Sequence, residues 1–293
     1  MAMRAVADLQ RSSGAVAHTS YQVSTGNRLE RPSDDPHGAE RAVRLRADLA
    51  ATRQYMATVD HSLGWAQATD DALGTITDIA QRARELLVQG GNDSLSTGAR
   101  SDIALEIDQL IGQAKTSANA TYDGQHIFAG QVTDTAPYDP DGGDAYAGDS
   151  GSIVRTIGPG VSVQLNATGG SVLGDGTDGK LLDVLRDVAA HLRSGVAADH
   201  NALRTTDLAA LDANMAALGQ ARAEAGTLTN RLAAAGSRLQ DVETSTENVR
   251  STVEHVDMAQ ALANLSQQQA VYQAALKATA MNLDQRTLMD FLG

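Results

Sequence analysis

The chain has 293 residues, an apolar fraction of 42%, an aromatic fraction of only 3% and a formal net charge of −13. That length accommodates two or three domains, but the absence of cysteine excludes a disulfide framework and a thiolate metal site, and so acidic a balance excludes a basic nucleic-acid-binding face. No apolar run reaches the ~18 residues of a membrane-spanning helix. The segment Met1–Arg11 lacks the apolar centre of a cleaved signal peptide, so the expectation is a chain that stays in the cytosol or leaves by a route needing no such signal.

All five prolines fall at 32, 36, 137, 140 and 159. A long helix tolerates almost none, because the ring removes a donor and clashes with the preceding turn. The stretches 37–136 and 160–293 are therefore free to be helical, and the apolar residues in them recur at intervals of three and four.

Residues 3–25 read as an amphipathic helix with Val6, Leu9, Val16 and Val23 on one seam, interrupted by Ser13 and Ser20. So thin a seam leaves a helix of this length marginal in water. Gly26 ends it. Pro32 and Pro36 forbid helix between them, and Asp35 is placed to cap a helix whose first residue is Pro36. That helix runs through Ala57 with Arg41, Arg44 and Arg46. Asp34, not needed as a cap, is expected to meet a neighbouring arginine. From Trp65 the rhythm is strong, through Thr69, Ala72, Ile76, Ile79, Ala83 and Leu86, until Gly90-Gly91-Asn92-Asp93 breaks it. It resumes over 99–118 with Ile103, Ile107, Leu110, Ile111 and Ala114, and stops near Asn119.

Between 125 and 179 the character changes. Gln125–Gly130 reads as a strand, and Ile153–Ile157 with Val161–Leu165 read as a hairpin around Gly158-Pro159-Gly160. Residues 123–180 carry eight Asp against Arg155 and Lys180, nearly half the net negative charge in a fifth of the length, whereas residues 1–58 carry eight Arg against six acids. The insert is thus expected to be solvated and to face outward.

Residues 180–194 read as a helix with Leu181, Leu185, Val188 and Leu192 on one side. The longest repeat follows: Ala225, Leu228, Leu232, Ala235, Leu239, Val242, Thr246, Val249, Val253 and Val256. At ~1.5 Å per residue this is a rod of about 48 Å, suited to a coiled-coil-like seam or an ordinary bundle. The last seam comprises Leu262, Leu265, Gln269, Tyr272, Leu276, Thr279 and Leu283, and the chain closes with Leu288 and Phe291. It too is interrupted by polar residues, so both ends read as helices that gain stability on pairing.

Motifs that could carry chemistry are few. Gly174-Asp175-Gly176-Thr177-Asp178-Gly179-Lys180 satisfies G-x-x-x-x-G-K, but Leu181 stands where a phosphate loop needs Ser or Thr. Asp175 and Asp178 would repel a phosphate, so a flexible return from the insert is the better reading. Asp139-Pro140-Asp141-Gly142-Gly143-Asp144 is similar to the start of a calcium loop, but Ser150 stands where the closing glutamate belongs, which favours an acidic turn. The seven histidines show no metal spacing. There is no Gly-x-Ser-x-Gly elbow and no cysteine nucleophile. The residues predict no catalytic constellation, no cofactor and no metal.

Ser24-Thr25-Gly26-Asn27-Arg28-Leu29-Glu30-Arg31-Pro32-Ser33-Asp34-Asp35-Pro36 resembles the N-terminal signature of the flagellin superfamily. The signature residues are Gly26, Arg28, Pro32, Ser33, Asp34, Asp35 and Pro36. Pro-Ser-Asp-Asp-Pro is the form of hook–filament junction proteins, where filament flagellins have Ala-Lys-Asp-Asp-Ala-Ala-Gly. Asn119–Gly130, Val256-Asp257-Met258-Ala259, Leu265–Gln269 and the Leu-rich tail are similar again.

The resemblance covers both arms, roughly 1–135 and 200–293. It implies a mainly α fold, a long helical rod or coiled coil built from N- and C-terminal arms with a small β-rich inserted domain. The division expected is 1–58 with 257–293 for terminal assembly, 59–124 with 180–256 for the rod, and 125–179 for the insert. It further implies a structural, non-enzymatic part of the bacterial flagellum, secreted and extracellular, at the junction of hook and filament. The implied partners are copies of itself in a ring, the preceding hook-associated protein, flagellin and an export chaperone, with no nucleic acid and no membrane insertion. A short flagellin that forms the filament itself is the alternative.

Overall fold

A computed structural model describes residues 2–291, with side chains at residue 4 and at residues 6–281. The fold is mainly α. Helix α1 (Ala2–Thr25) stops at Gly26, whose φ of +71° a side chain would oppose. Helix α2 (Pro36–Gly90) starts as expected: Asp35 Oδ1 accepts the Gly38 N–H at 2.8 Å, and Pro36 occupies the first turn, where no donor is missed. Asp34 instead accepts the backbone N–H of Arg31 at 2.8 Å, and the arginine in this segment, Arg28, pairs with Asp35. Helix α2 does not pause after Ala57 but runs on to Gly90, 55 residues in all. Its interior Gly64 weakens the helix by about 1 kcal/mol relative to alanine, yet it admits the Tyr122 ring, whose hydroxyl lies 2.2 Å from where a Cβ would stand.

Helix α3 (Thr97–Ala118) is capped by Ser96, whose side chain accepts the Ala99 N–H, and ends at Asn119. Two short strands, β1 (Thr121–Tyr122) and β2 (Gln125–His126), pair antiparallel around Asp123-Gly124. Both turn residues have positive φ, 51° and 76°, as a type I′ turn requires. Strand structure does not extend over Ile127–Gly130. Ile127, Phe128 and Ala129 are all fully buried, which a strand with alternating faces cannot achieve on one side.

The expected hairpin is present as β3 (Val154–Gly158) and β4 (Val161–Gln164), turning at Pro159-Gly160 with Gly160 at φ +69°. Five helices follow among the described residues: α4 (Gly169–Val172), α5 (Leu181–Ser194), α6 (Ala197–Arg204), α7 (Thr206–Glu254) and, after a short break, α8 (Met258–Phe291).

The chain divides into two compact units, one of residues 1–53 and 241–293, the other of residues 54–240. In the larger unit one apolar cluster joins α2 (Trp65, Leu73, Ile76, Leu87), α3 (Ile103, Ile107, Ile111), α5 (Leu181, Leu185, Leu192) and α7 (Leu211, Leu218). Phe128, Tyr138, Leu165 and Leu173 of the insert belong to the same cluster. A second cluster sets the inner face of the hairpin, Ile157 and Val163, on Val59 of α2 and Leu232, Ala235 and Leu239 of α7. Burying such side chains is worth roughly 1.5–3 kcal/mol each. In the smaller unit α1 packs on α8. There Arg46 meets Glu254 at 2.8 Å and Arg53 meets Glu243 at 2.6 Å.

Candidate assembly surfaces

The α1–α8 pair is thinly covered. On α8 the shielded positions are Ala261, Leu265, Gln268, Tyr272, Ala275 and Thr279, spaced four and three apart. Among the described side chains of α8 only Ala261 is fully buried. On α1 the shielded positions among the described side chains are Leu9, Ser12, Ala15, Val16, His18, Thr19, Tyr21, Gln22 and Val23, with Thr19 alone fully buried. Most of the shielded side chains on both helices are only half-covered.

Leu265, Tyr272, Leu9, Val16 and Val23 from the predicted seams are half-buried. Val6, Leu262 and Leu276 are exposed, at 51%, 49% and 43%. Helical spacing puts Leu262 and Leu276 on a flank one residue round from the covered face, together with Met258. Among the described residues these three apolar side chains stay exposed, with Ser266, Gln269 and Gln273 between them on the same flank. Leu283, Leu288 and Phe291 lie outside the described side chains.

The signature residues occupy the base of this pair. Arg28 donates from its backbone to Glu254 O at 2.7 Å and from Nε to Val253 O at 3.0 Å, while its Nη2 meets Asp35 Oδ2 at 3.0 Å. The Val256 N–H returns a bond to Gly26 O at 3.0 Å, so Asn27 and His255 face each other in an antiparallel bridge. Gln22 Nε2 donates to Arg28 O at 2.9 Å. Asp35 therefore serves two neighbours. The Gly38 N–H and then the Arg28 guanidinium hold its carboxyl below the usual carboxylate range. Pro32 is exposed beside this cluster, and Pro32 and Ser33 form part of the turn that carries the chain into α2.

The two chemistry-like loops are internally satisfied. In Gly174–Lys180, Asp175 Oδ1 accepts both the N–H and the hydroxyl of Thr177, and Lys180 Nζ is taken by Gly170 O and Asp178. In the calcium-like turn a side chain already supplies the cation. Lys115 of α3, 1% exposed, donates to Asp139 O at 3.2 Å, Gly142 O at 2.9 Å and Gly143 O at 3.0 Å, and pairs with Asp144 Oδ1 at 2.7 Å.

Arg186 grips Asp144 from the other side at 2.7 and 3.1 Å. Burial alone would push the Asp144 carboxyl up, but Arg186 and Lys115 together hold it below its ordinary value. Sequence reasoning missed this network. Its signal was a lysine on the apolar face of α3, between Ile111, Ala114 and Ala118. Arg100, also nearly buried, likewise escaped notice; it donates to Gly90 O and Asn92 O at the end of α2.

Known proteins with these features are flagellar. Residues 1–133 match the bacterial flagellin N-terminal helical region and residues 208–292 the C-terminal helical region. Flagellar hook-associated protein 3 of Escherichia coli is 30% identical over 277 residues, covering 88% of this chain and 87% of that one. Flagellin FlaB1 of Treponema pallidum is 26% identical over 294 residues, covering 89% and 93%. Among solved structures, FlgL of Bacillus cereus aligns over 71% of this chain and 99% of that one with a TM-score of 0.60 at 21% identity. Hook associated protein-3 of Legionella pneumophila gives a TM-score of 0.63 at 14% identity over 71% and 98%. These two likenesses concern the fold.

Proposed function

The chain belongs to the bacterial flagellin family, beside flagellar hook-associated protein 3, and we propose that it joins the hook-associated ring to the flagellin filament. The observation that carries this reading is the match to hook-associated protein 3 over 88% of this chain and 87% of that one, with the Pro32–Pro36 signature at the base of the terminal helices. The role is structural, as it is across the family, and calls for no catalytic residue.

Copies of the chain form a ring through the terminal helices. The preceding hook-associated protein lies on one side of the ring and flagellin on the other. An export chaperone holds the chain before it passes, unfolded, to the cell exterior. Weak cover between α1 and α8 suits this life: arms of marginal stability thread easily and order when neighbours supply buried area. The three-part division follows the same logic, with 1–58 and 257–293 for assembly, 59–124 and 180–256 as the shaft, and 125–179 as the outward insert.

Electron microscopy of cells lacking the gene tests this. The expected result is intact hooks without filaments and flagellin monomers in the medium. If the chain is instead a short flagellin, the same deletion removes the filament protein itself, and nothing of the filament is shed.

A further inference from the structure

Between α7 and α8 the helix breaks without glycine or proline, and Asp257 is the local residue that caps the restart. Ser251–Ala261 contains neither glycine nor proline, and helix stops on one side of His255-Val256-Asp257 and restarts on the other. In an uninterrupted helix Val253 O would accept the Asp257 N–H, Glu254 O the Met258 N–H, and the Val256 N–H would go to Thr252 O. Here each of those groups on the α7 side is diverted to the opposite end of the chain. Val253 O takes Arg28 Nε, Glu254 O takes the Arg28 N–H, and the Val256 N–H goes to Gly26 O.

Asp257 supports the restart locally, its Oδ1 accepting from Ala259 N at 2.9 Å and Gln260 N at 3.2 Å. Val253 O, Glu254 O and the Val256 N–H each have one partner in either arrangement, so for these three groups the two differ little in backbone satisfaction.

We infer that residues 254–258 are a two-state hinge set by Gly26 and Arg28: broken when the N-terminal segment is seated, and continuous helix from α7 into α8 when it is not. Arg28 is the positioning residue. Asp35 holds its guanidinium while capping α2, so the Arg28 side chain ties the start of α2 to the end of α7. The course of the C-terminal helix thereby becomes conditional on the N-terminal segment being in place.

The chain contains no cysteine, so an introduced pair is unique. Asn27 and His255 face each other between two flanking backbone bonds, the narrow kind of antiparallel pair, with Cα atoms about 4.5 Å apart, within disulfide reach. The experiment uses the full chain labelled with 13C and reads the Cα shifts of Val256 and Asp257. Oxidised Asn27→Cys/His255→Cys is expected to form the disulfide and give non-helical shifts. Arg28→Pro, which removes both the N–H and the Nε of residue 28, is expected to move both shifts to helical values, while signals of Ile103–Ala114 stay in place and report an intact larger unit. Failure of the disulfide to form, or non-helical or random-coil shifts in Arg28→Pro, overturns the hinge. No flagellum enters the measurement, so its outcome is separate from that of the deletion strain.

Discussion

Replacing Lys115 with methionine removes one charge from the larger unit while keeping a linear side chain of similar volume. In the native protein the ammonium satisfies three backbone carbonyls and half of the Asp144 carboxylate at 1% exposure. Removing one partner of a buried ion pair generally costs about 3–5 kcal/mol. Asp144 keeps its two bonds to Arg186 and the methionine retains the apolar stem, so the low end, about 3 kcal/mol, is expected. For a unit of this size that corresponds to a midpoint lowered by roughly 6–12 °C. Trp65 is the sole tryptophan and lies fully buried in the cluster shared with the insert, so its fluorescence follows this unit alone. A Lys115→Met midpoint within about 2 °C of the wild type, or above it, refutes the claim that the ammonium holds the loop.

Three further outcomes are expected. Leu276→Asp changes a side chain on the exposed flank, and Val16→Asp one that α8 half covers; each blocks incorporation into flagella more than it lowers the melting temperature, and equal losses would place them in the core of the single chain. Limited proteolysis of the isolated monomer trims α1 and α8 before it cuts within residues 54–240, whereas resistant ends would mean that the α1–α8 contact suffices alone. His191 gives a pH dependence. Burial opposes its protonation, but Asp207 Oδ2 at 2.7 Å, with Asp199 and Asp187 nearby, raises its pKa above the ordinary 6.5. The ion pair then stabilises the fold fully below that ordinary value and fades as pH rises through the folded one, so His191→Asn is expected to cost more below about pH 6 than above about pH 9. A cost independent of pH would contradict it.

Much of the architecture was legible because its causes are local. Proline positions limit helices through a missing donor, Asp35 caps through its own side chain, and Pro159-Gly160 turns through its own dihedral preferences. The continuity of α2 through Gly64 was not legible, because what favours it is Tyr122, 58 residues later. The α8 stripe was located only to within one residue: a 3-4 repeat leaves two adjacent flanks open, and α1 covers the one with Ala261, Gln268 and Ala275 rather than the one with Leu262 and Leu276. Lys115 and the Arg28 bonds join residues remote in sequence, so no window along the chain displays them.

A loop that gathers carbonyls and a carboxylate around a metal keeps its form only while the surrounding solution supplies that metal. The turn at Asp139–Asp144 gathers the same oxygens around an ammonium that is covalently part of the polypeptide. Dilution cannot wash this ion away and no chelator can extract it. The turn at Asp139–Asp144 therefore needs no dissolved cation to satisfy its inward carbonyls or to neutralise Asp144.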